Sequence, residues 1–319
     1  MIMSKFWLLT IATWLLGVNT WAQEHGVVQN RQRSFHETVP AGNYSGITWL
    51  GSNRYAVVND KTEESGFHLF EIDIDSVNGK IRHAAEIGFF SSGIANRDDE
   101  GIAFYVPDST IFISGESDNE VLEYSMNGTL TGRRLQVPAI FKNAKGNRGL
   151  EALTYQEQTG LFFTISEEPL KGDSLSRIQS FGNHLKPLCQ WFYRMDKASS
   201  KVREGKHTKG VPALVAMPDG RLLVMEREVF IPKNYIGSWV KNDLYIVIPK
   251  MEKEGKLLEK QLLVSFQTKF NLTARSFANY EGMCLGPRLV DGRQVIVLIC
   301  DSQNRYKGVL NDWLKTIVF

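Results

Sequence analysis

Residues 100–116, EGIAFYVPDSTIFISGE, hold the pattern that decides the fold. In this stretch an acid opens a short apolar strand, a turn of Pro, Asp and Ser follows, and a second apolar strand ends in another acid. The same order recurs in SGITWLGSNRYAVVND (45–60), EALTYQEQTGLFFTISEE (151–168), PALVAMPDGRLLVMERE (212–228) and EGMCLGPRLVDGRQVIVLICD (281–301). Repeats that start about 50 to 70 residues apart are typical of a radial array of sheets. The sequence therefore predicts an all-β fold, a β-propeller with five visible repeats.

Further alternating segments follow each repeat and complete a blade. Aromatic-rich third strands are predicted at 66–75, 120–128, 189–196 and 242–250, and fourth strands at 81–90, 133–138 and 261–267. The last repeat has room for a third strand, DWLKTIVF (312–319), but for no fourth. We expect residues 33–40 to supply that strand and close the ring, because closure removes an exposed sheet edge. Six blades are the alternative if the loop-rich residues 168–210 contain a degenerate repeat.

The N-terminus has the features of a secretory signal. Lys5 precedes an apolar run over residues 6–18, and small residues end at Ala22. The run is shorter than the roughly 20 residues that a membrane-spanning helix needs. We therefore expect a signal peptide at residues 1–22 and a single mature domain at residues 23–319. The predicted location is periplasmic or secreted, with no stable membrane insertion.

The composition is that of an ordinary globular protein. The 319 residues are 43% hydrophobic and 23% charged, with a formal net charge of +2. No basic run with interleaved aromatic residues occurs, so nucleic acid is not an expected partner. Three cysteines, an odd number, do not make a disulfide scaffold. Cys284 and Cys300 lie on the two strands of one repeat, where they either pair or serve as small buried apolar residues.

Two positions in every repeat carry the chemistry. The first opens the inner strand and is occupied by Ser45, Glu100, Glu151, Pro212 and Glu281. The second ends the next strand and is assigned to Asp60, Glu116, Glu167, Glu226 and Asp301. Because a hairpin returns the second position beside the first, both sets should lie at one end of the propeller, near its axis.

Carboxylates clustered in a poorly solvated channel must take up protons or be compensated by cations. Arg148 and Arg227, which stand beside these acids in the sequence, are one source of compensation. A bound metal is the other, and an oxygen-only cluster suits calcium, with magnesium as the alternative. The candidate metal ligands are Glu100, Glu116, Glu151, Glu167, Glu226, Glu281 and Asp301. A purely structural network of arginine and glutamate side chains would produce the same pattern.

Seven motifs, in order, resemble the phytase-like family, whose members are called "esterase-like activity of phytase" proteins. They are DDEGIAFY (98–105), ISGES (113–117), NRGLEALTY (147–155), SEEPL (166–170), LLVMERE (222–228), NYEGMCLG (279–286) and ICDSQN (299–304). The resemblance spans about residues 40–310 and implies an exported bacterial β-propeller that hydrolyses an ester. The family's acids fall on Glu100, Glu116, Glu151, Glu167, Glu226 and Glu281, and its arginines on Arg148 and Arg227. Where the family has two adjacent Asp before Asn, this chain has Asp301-Ser302-Gln303-Asn304.

The first functional hypothesis is a metal-assisted ester hydrolase that favours phosphoesters and acts as a monomer on a small molecule. Calcium would neutralise the phosphate, Arg148 and Arg227 would bind its oxygens, and Glu100 or Glu151 would act as general base. Ser45, the one hydroxyl at an acid position, is a further candidate substrate contact. The second hypothesis is a non-catalytic propeller that binds an envelope ligand or protein, because no G-x-S-x-G motif occurs. The third is a lactonase-like hydrolase of a neutral cyclic ester.

Overall fold

The computed structural model describes residues 26–146, 148–199, 204–273 and 275–319. The predicted signal peptide lies outside these residues. In chain order the strands are β1 (Val28–Gln29), β2 (Tyr44–Gly51), β3 (Arg54–Asn59), β4 (Glu64–Ile74), β5 (Ile81–Ala95), β6 (Asp99–Tyr105), β7 (Thr110–Gly115), β8 (Glu120–Ser125), β9 (Leu130–Leu135), β10 (Leu150–Gln156), β11 (Leu161–Ser166), β12 (Ser176–Phe181), β13 (Pro187–Tyr193), β14 (Lys206–Ala216), β15 (Leu222–Ile231), β16 (Ser238–Val247), β17 (Lys260–Phe270), β18 (Asn279–Arg288), β19 (Gln294–Asp301) and β20 (Leu314–Val318). Short 3-10 turns lie at Val106–Asp108, Ala139–Asn143, Asn183–Leu185, Met251–Lys253 and Tyr306–Gly308. Among the described residues, no helix has the length and apolar character that crossing a membrane requires.

The strands form five antiparallel four-stranded sheets, each of which is one blade of a propeller. The blades are β2-β3-β4-β5, β6-β7-β8-β9, β10-β11-β12-β13, β14-β15-β16-β17 and β18-β19-β20-β1. The inner strands β2, β6, β10, β14 and β18 contact one another around a ring, with β18 against β2. The described residues therefore confirm the five-bladed fold. The described part of residues 168–210 forms no sixth blade, because it supplies β12, β13 and the start of β14.

The N-terminal residues provide the outermost strand of the fifth blade, where β1 pairs antiparallel with β20. This strand lies upstream of residues 33–40, which the sequence indicated for the role. Among the described residues, segment 33–40 contributes one isolated bridge, between Arg33 and Leu314. A turn at residues 36–38 prevents the segment from continuing as a strand.

The third blade departs from the predicted strand order. Residues 189–196 were expected to be its third strand, but most of them form β13, the fourth. The third strand is β12, whose sequence SRIQSF carries too few apolar residues to be conspicuous. Gln179 and Ser180 are nevertheless buried, because hydrogen bonds to neighbouring backbone and side chains satisfy both.

Small residues line the axis because five backbones converge there. The inner strands place Gly46, Gly101, Ala152, Ala213 and Gly282 around the axial channel. A Cβ added at Gly46 would lie 2.2 Å from the carbonyl oxygen of Glu100, and one at Gly101 would lie 2.7 Å from the nitrogen of Leu153. The channel that remains has a volume of about 10 Å³, which is room for about one water molecule. The channel is therefore too narrow for a ligand larger than a water molecule.

The cysteines are free and buried. Cys284 packs with Tyr55 and other side chains between the fifth and first blades. Cys300 packs on the other face of the fifth blade, with Tyr280 and other side chains. Because the two thiols lie on opposite faces of one sheet, they do not pair.

Candidate active site

A β-bulge at the opening of every inner hairpin sets the first acid position. The register of the ladder breaks between Tyr44 and Gly46, Asp99 and Ile102, Leu150 and Ala152, Gly210 and Ala213, and Tyr280 and Gly282. The residues that the ladder skips include Ser45, Glu100, Glu151, Pro212 and Glu281, and all five line the axial channel. A bulge turns a side chain away from its regular direction. Here the bulges direct three glutamates of different blades toward one axis.

The second position follows where the next strand of the hairpin ends. The backbone N–H of Glu116 donates to the carbonyl of Asp98 at 2.9 Å, and that of Glu167 donates to the carbonyl of Gly149 at 3.2 Å. These bonds hold the second acids level with the first. Asp60, Glu116, Glu167 and Asp301 face a cavity of about 720 Å³ at the mouth, together with Glu100, Glu151 and Glu281.

In the fourth blade this second position belongs to Arg227, not to Glu226. Arg227 lines the cavity, whereas Glu226 lies on the opposite face of β15, because successive strand residues alternate. The Glu226 carboxylate accepts a hydrogen bond from the Tyr193 hydroxyl at 2.7 Å and forms salt bridges with Lys209 and Lys260. The structure thus places Glu226 in a buried ionic network outside the cavity and corrects the sequence alignment of this repeat by one residue.

Glu100, Glu116 and Glu151 form the innermost carboxylate group, called here the central triad. One oxygen of each lies within 4.8 Å of the others. Glu100 is 7% and Glu116 3% exposed, and burial together with neighbouring negative charge raises the pKa of all three carboxyls, most strongly those of Glu100 and Glu151. Among the described residues, no salt bridge reaches the triad. Protons or a bound cation must therefore compensate its charge.

A second acidic group, which consists of Asp60, Asp98 and Glu100, shares one carboxylate with the central triad. A lysine side chain compensates part of its charge, because Lys61 Nζ lies 2.8 Å from Asp60 and 2.5 Å from Asp98. Sequence reasoning missed Asp98 as a site residue. The signal that points to it is the acidic run Asp98-Asp99-Glu100, in which Asp98 adopts a positive φ of 58°.

Two arginines meet the acids differently. Arg227 is 9% exposed; its guanidinium donates to Glu167 at 3.0 Å and to Glu281. Arg148 contacts Glu167 at 2.6 Å and Glu168 at 3.0 Å, but its side chain remains 30% exposed. The Arg227 guanidinium is thus enclosed by its two carboxylate partners, while that of Arg148 is accessible from the cavity.

The remaining residues from the sequence analysis differ in their access to the cavity. Ser45 is 3% exposed. Its hydroxyl donates to the carbonyl of Asp99 at 2.8 Å, so the hydroxyl proton is not available to a ligand in the cavity. Burial is the main cause that raises the pKa of Asp301 to about 8 and that of Asp60 to about 6, and the Glu281 charge adds to both shifts. These two acids therefore titrate near neutral pH while facing the cavity.

The match to known proteins agrees with this architecture. The model of the phytase-like family, described as "esterase-like activity of phytase", matches residues 39–303. The chain belongs to the phytase-like family. The matched range contains all the acids and both arginines of the mouth. No curated protein matches the chain.

Several solved structures are similar to this phytase-like propeller. Streptogramin B lyase has 11% identity and a TM-score of 0.41, over 91% of this chain and 98% of that chain. A gluconolactonase from Xanthomonas campestris has 8% identity and a TM-score of 0.37, over 92% and 97%. A nidogen/laminin complex has 9% identity and a TM-score of 0.40, over 88% and 86%. Likenesses at this level say nothing about the activity of the chain.

Proposed function

We propose that this phytase-like chain is a metal-assisted ester hydrolase that favours phosphoesters and whose active site is the mouth of the propeller. The observation that carries the proposal is the central triad, in which three buried carboxylates of two adjacent blades converge and, among the described residues, none of the three takes part in a salt bridge. A buried group of like charges is costly unless a ligand uses it. The family description, which names an esterase-like activity, supports the same reaction class.

The residues of the mouth fit a hard divalent cation. The triad offers carboxylate oxygens alone, which suits calcium, with magnesium as the alternative. Asp60 and Asp98 are less suited to a second ion, since Lys61 already contacts both. Glu226 is left out, because it lies outside the cavity. When bound, the cation would supply charge neutralisation at the substrate phosphate and a lowered pKa for a water molecule.

The chain's own side chains take the other roles. Arg148, the accessible arginine, is proposed to bind phosphate oxygens. Arg227 is proposed to hold Glu167 and Glu281 in position, since both of its contacts are already carboxylates. Whichever of Glu100 and Glu151 does not bind the cation is proposed to accept the proton of the attacking water.

One observation favours a second candidate, a non-catalytic propeller that binds an envelope ligand. Among the described residues that line the cavity there is no cysteine or histidine, and His207, the chain neighbour of the lining residue Thr208, contacts Glu228 at 2.8 Å. A nucleophile activated in the usual way is therefore absent from the described lining. A lactonase-like reaction on a neutral ester differs from the main proposal in needing no phosphate contact.

Export to the periplasm or beyond belongs to the proposal as well. It rests on residues 1–22, where a lysine, an apolar run and small residues follow one another. The test is whether the chain produced in a bacterial host is recovered outside the cytoplasm with an N-terminus near Gln23.

The decisive experiment is hydrolysis of p-nitrophenyl phosphate and p-nitrophenyl acetate, with calcium and with EDTA, by the chain that begins at residue 23. We expect calcium-dependent release from the phosphate, which Glu100→Gln and Glu151→Gln abolish. Glu252→Gln, which changes an exposed acid on a 3-10 turn, is the matched control. Cleavage of the acetate alone would favour the lactonase-like reaction, and no cleavage of either ester by the folded protein would favour the binding propeller.

A further inference from the structure

The cavity at the mouth has one wall that differs in chemistry from the acids. Besides charged residues such as Glu100 and Glu151, the lining contains Val229, Ile231, Phe277, Leu310, Tyr235 and Tyr306. An acid-lined metal site alone does not require such a surface. We call these six side chains the apolar wall.

The apolar wall forms in part because the second strand of the fourth blade extends further at this end than the second strands of the other blades. In the other blades the second strand ends at or just before the second acid position, as β7 does before Glu116 and β11 before Glu167. In the fourth blade β15 continues from Arg227 to Ile231. Because side chains alternate along a strand, Val229 and Ile231 share the face of Arg227 and line the cavity above it.

The wall is a packed surface. Val229, Val240, Phe277 and Leu310 form one buried cluster, against which Ile231 packs. Tyr235 and Tyr306 stand at the rim of the cavity, with ring centroids 6.5 Å apart, and they are 42% and 37% exposed. The wall therefore offers a packed apolar face and two partly exposed aromatic rings, and Lys307 Nζ lies 5.6 Å and 5.1 Å from the centroids of the Tyr235 and Tyr306 rings.

The charge of the lining sets a second restriction. Within the described residues, seven carboxylates and four basic side chains line the cavity. Arg227 is enclosed by Glu167 and Glu281, so the bases that a ligand can reach are Arg148, Lys206 and Lys233. A ligand with several phosphates would meet a surplus of negative charge even beside one divalent cation.

From these features, and resting on the proposed function, we infer the substrate class: a phosphomonoester whose alcohol carries an aliphatic or aromatic group. The phosphate lies toward the acids and Arg148, and the apolar group lies against the apolar wall. A polyphosphorylated polyol, which has no apolar part and a large negative charge, is excluded as a good substrate.

The test is a series of ethyl, butyl and hexyl phosphate, assayed with calcium. The three share one type of leaving group, so only the apolar length changes. Each fully buried methylene contributes about a three- to fourfold gain, and we expect kcat/KM to rise at least tenfold from ethyl to hexyl. Inositol hexakisphosphate should be a poorer substrate than butyl phosphate.

Variants locate the effect in the wall. Val229→Thr keeps the shape of the side chain and should lower the hexyl-to-ethyl ratio of kcat/KM several-fold, and Tyr306→Ala should do the same from the rim. Val290→Thr is the matched control, since Val290 is 76% exposed in a turn far from the mouth. An unchanged ratio in both wall variants contradicts the inference.

Binding separates this inference from the proposed function. Hexyl and ethyl phosphonate, which the enzyme cannot hydrolyse, are titrated into the calcium-loaded protein by calorimetry. Tighter binding of the hexyl compound without turnover of any phosphate supports the apolar wall and refutes the hydrolase. Turnover with no dependence on chain length, or no binding of either phosphonate, refutes the inferred substrate class.

Discussion

Glu100 is the residue on which the charge balance of the mouth depends most. It belongs to both acidic groups, is 7% exposed, and has no salt-bridge partner among the described residues. Its carboxylate is shielded from water, and the charges of Glu281, Asp60 and Glu116 raise its pKa further. Folding therefore disfavours the charged form of Glu100, and a cation would reverse that preference.

The substitution Glu100→Gln tests this balance at a single residue. Because the amide keeps the shape and carries no charge, we expect the metal-free protein to gain about 1 kcal/mol of stability at pH 7.5. The rise in melting temperature that calcium gives to the native sequence should shrink toward zero, and hydrolysis should fall at least 100-fold. Thermal melting with calcium and with EDTA measures the first two effects. A full calcium response in the variant would remove Glu100 from the cation site.

Arg227 contributes a positive charge to the mouth, where it contacts the carboxylates of Glu167 and Glu281. The substitution Arg227→Met leaves Glu167 and Glu281 without this partner, and breaking a buried pair in this way costs about 3–5 kcal/mol. We expect Glu281→Gln, added to the same chain, to restore part of that loss. Urea unfolding of the single and double variants measures both changes. A double variant no more stable than the single one would show that Glu281 does not depend on Arg227.

The misplacement of Glu226 shows how much of the site the sequence could predict at residue level. Four of the five second positions were assigned to side chains that do line the cavity, because hydrophobic strands ending in an acid mark them clearly. In the fourth blade the strand does not end there, and the run Met225-Glu226-Arg227-Glu228 offers two acids on one face and an arginine on the other. Because a one-residue shift turns every side chain of a strand to the other face, the pattern could not choose between them.

At the scale of elements, the sequence analysis missed two strands, β1 and β12. β1 is two residues long and is a strand only because β20 offers it a partner. β12 is polar in sequence but mostly buried, and its side chains Gln179 and Ser180 bond to neighbouring groups within the blade. Propensity and periodicity describe a strand by its own residues. They predict long hairpins well and miss strands that depend on tertiary contacts.

We expect Asn30, which follows β1, to stabilise the closure of the ring. The Asn30 amide donates to Thr316 Oγ1 at 3.1 Å and to the carbonyl of Asn78 at 3.0 Å, so it ties the last blade to the first. Loss of these buried bonds in Asn30→Ala should lower the free energy of unfolding by about 1–3 kcal/mol. Gln29→Ala, which removes one exposed bond of 3.3 Å to Ser265, is the control and should cost less than about 0.5 kcal/mol. Equal losses in the two variants would mean that the closure does not depend on Asn30.

At the scale of the whole molecule, the fivefold ring brings together acids that lie far apart in sequence. Each blade contributes one bulge, four of the five blades contribute a strand end to the mouth, and small residues close the axis beneath them. The repeat in the sequence was sufficient to predict this convergence, since equivalent positions of a ring share one radius and height. The apolar wall was not predictable, because it comes from the extra length of β15 and from loops that follow no repeat.

The buried acids of the mouth also make the stability of the folded protein depend on pH. Burial raises the pKa of Asp60 to about 6 and that of Asp301 to about 8, above the value near 4 expected in the unfolded chain. Between about pH 4 and pH 8 the folded protein therefore binds more protons than the unfolded one, so the stability of the metal-free protein should fall as pH rises. A cation bound at the mouth favours the ionised acids, and its binding releases protons.

The calcium-induced rise in melting temperature should consequently grow from pH 5 to pH 8, to several degrees at 5 mM calcium, while melting in EDTA falls over the same range. Asp301→Asn should flatten the upper part of the EDTA curve, between pH 6 and pH 8, because it removes the group that titrates there. Asp291→Asn, on an outer turn, serves as the surface control for a lost carboxylate. A calcium effect that is the same at pH 5 and pH 8 would mean that the ion does not bind where these acids titrate, and would separate the cation from the mouth.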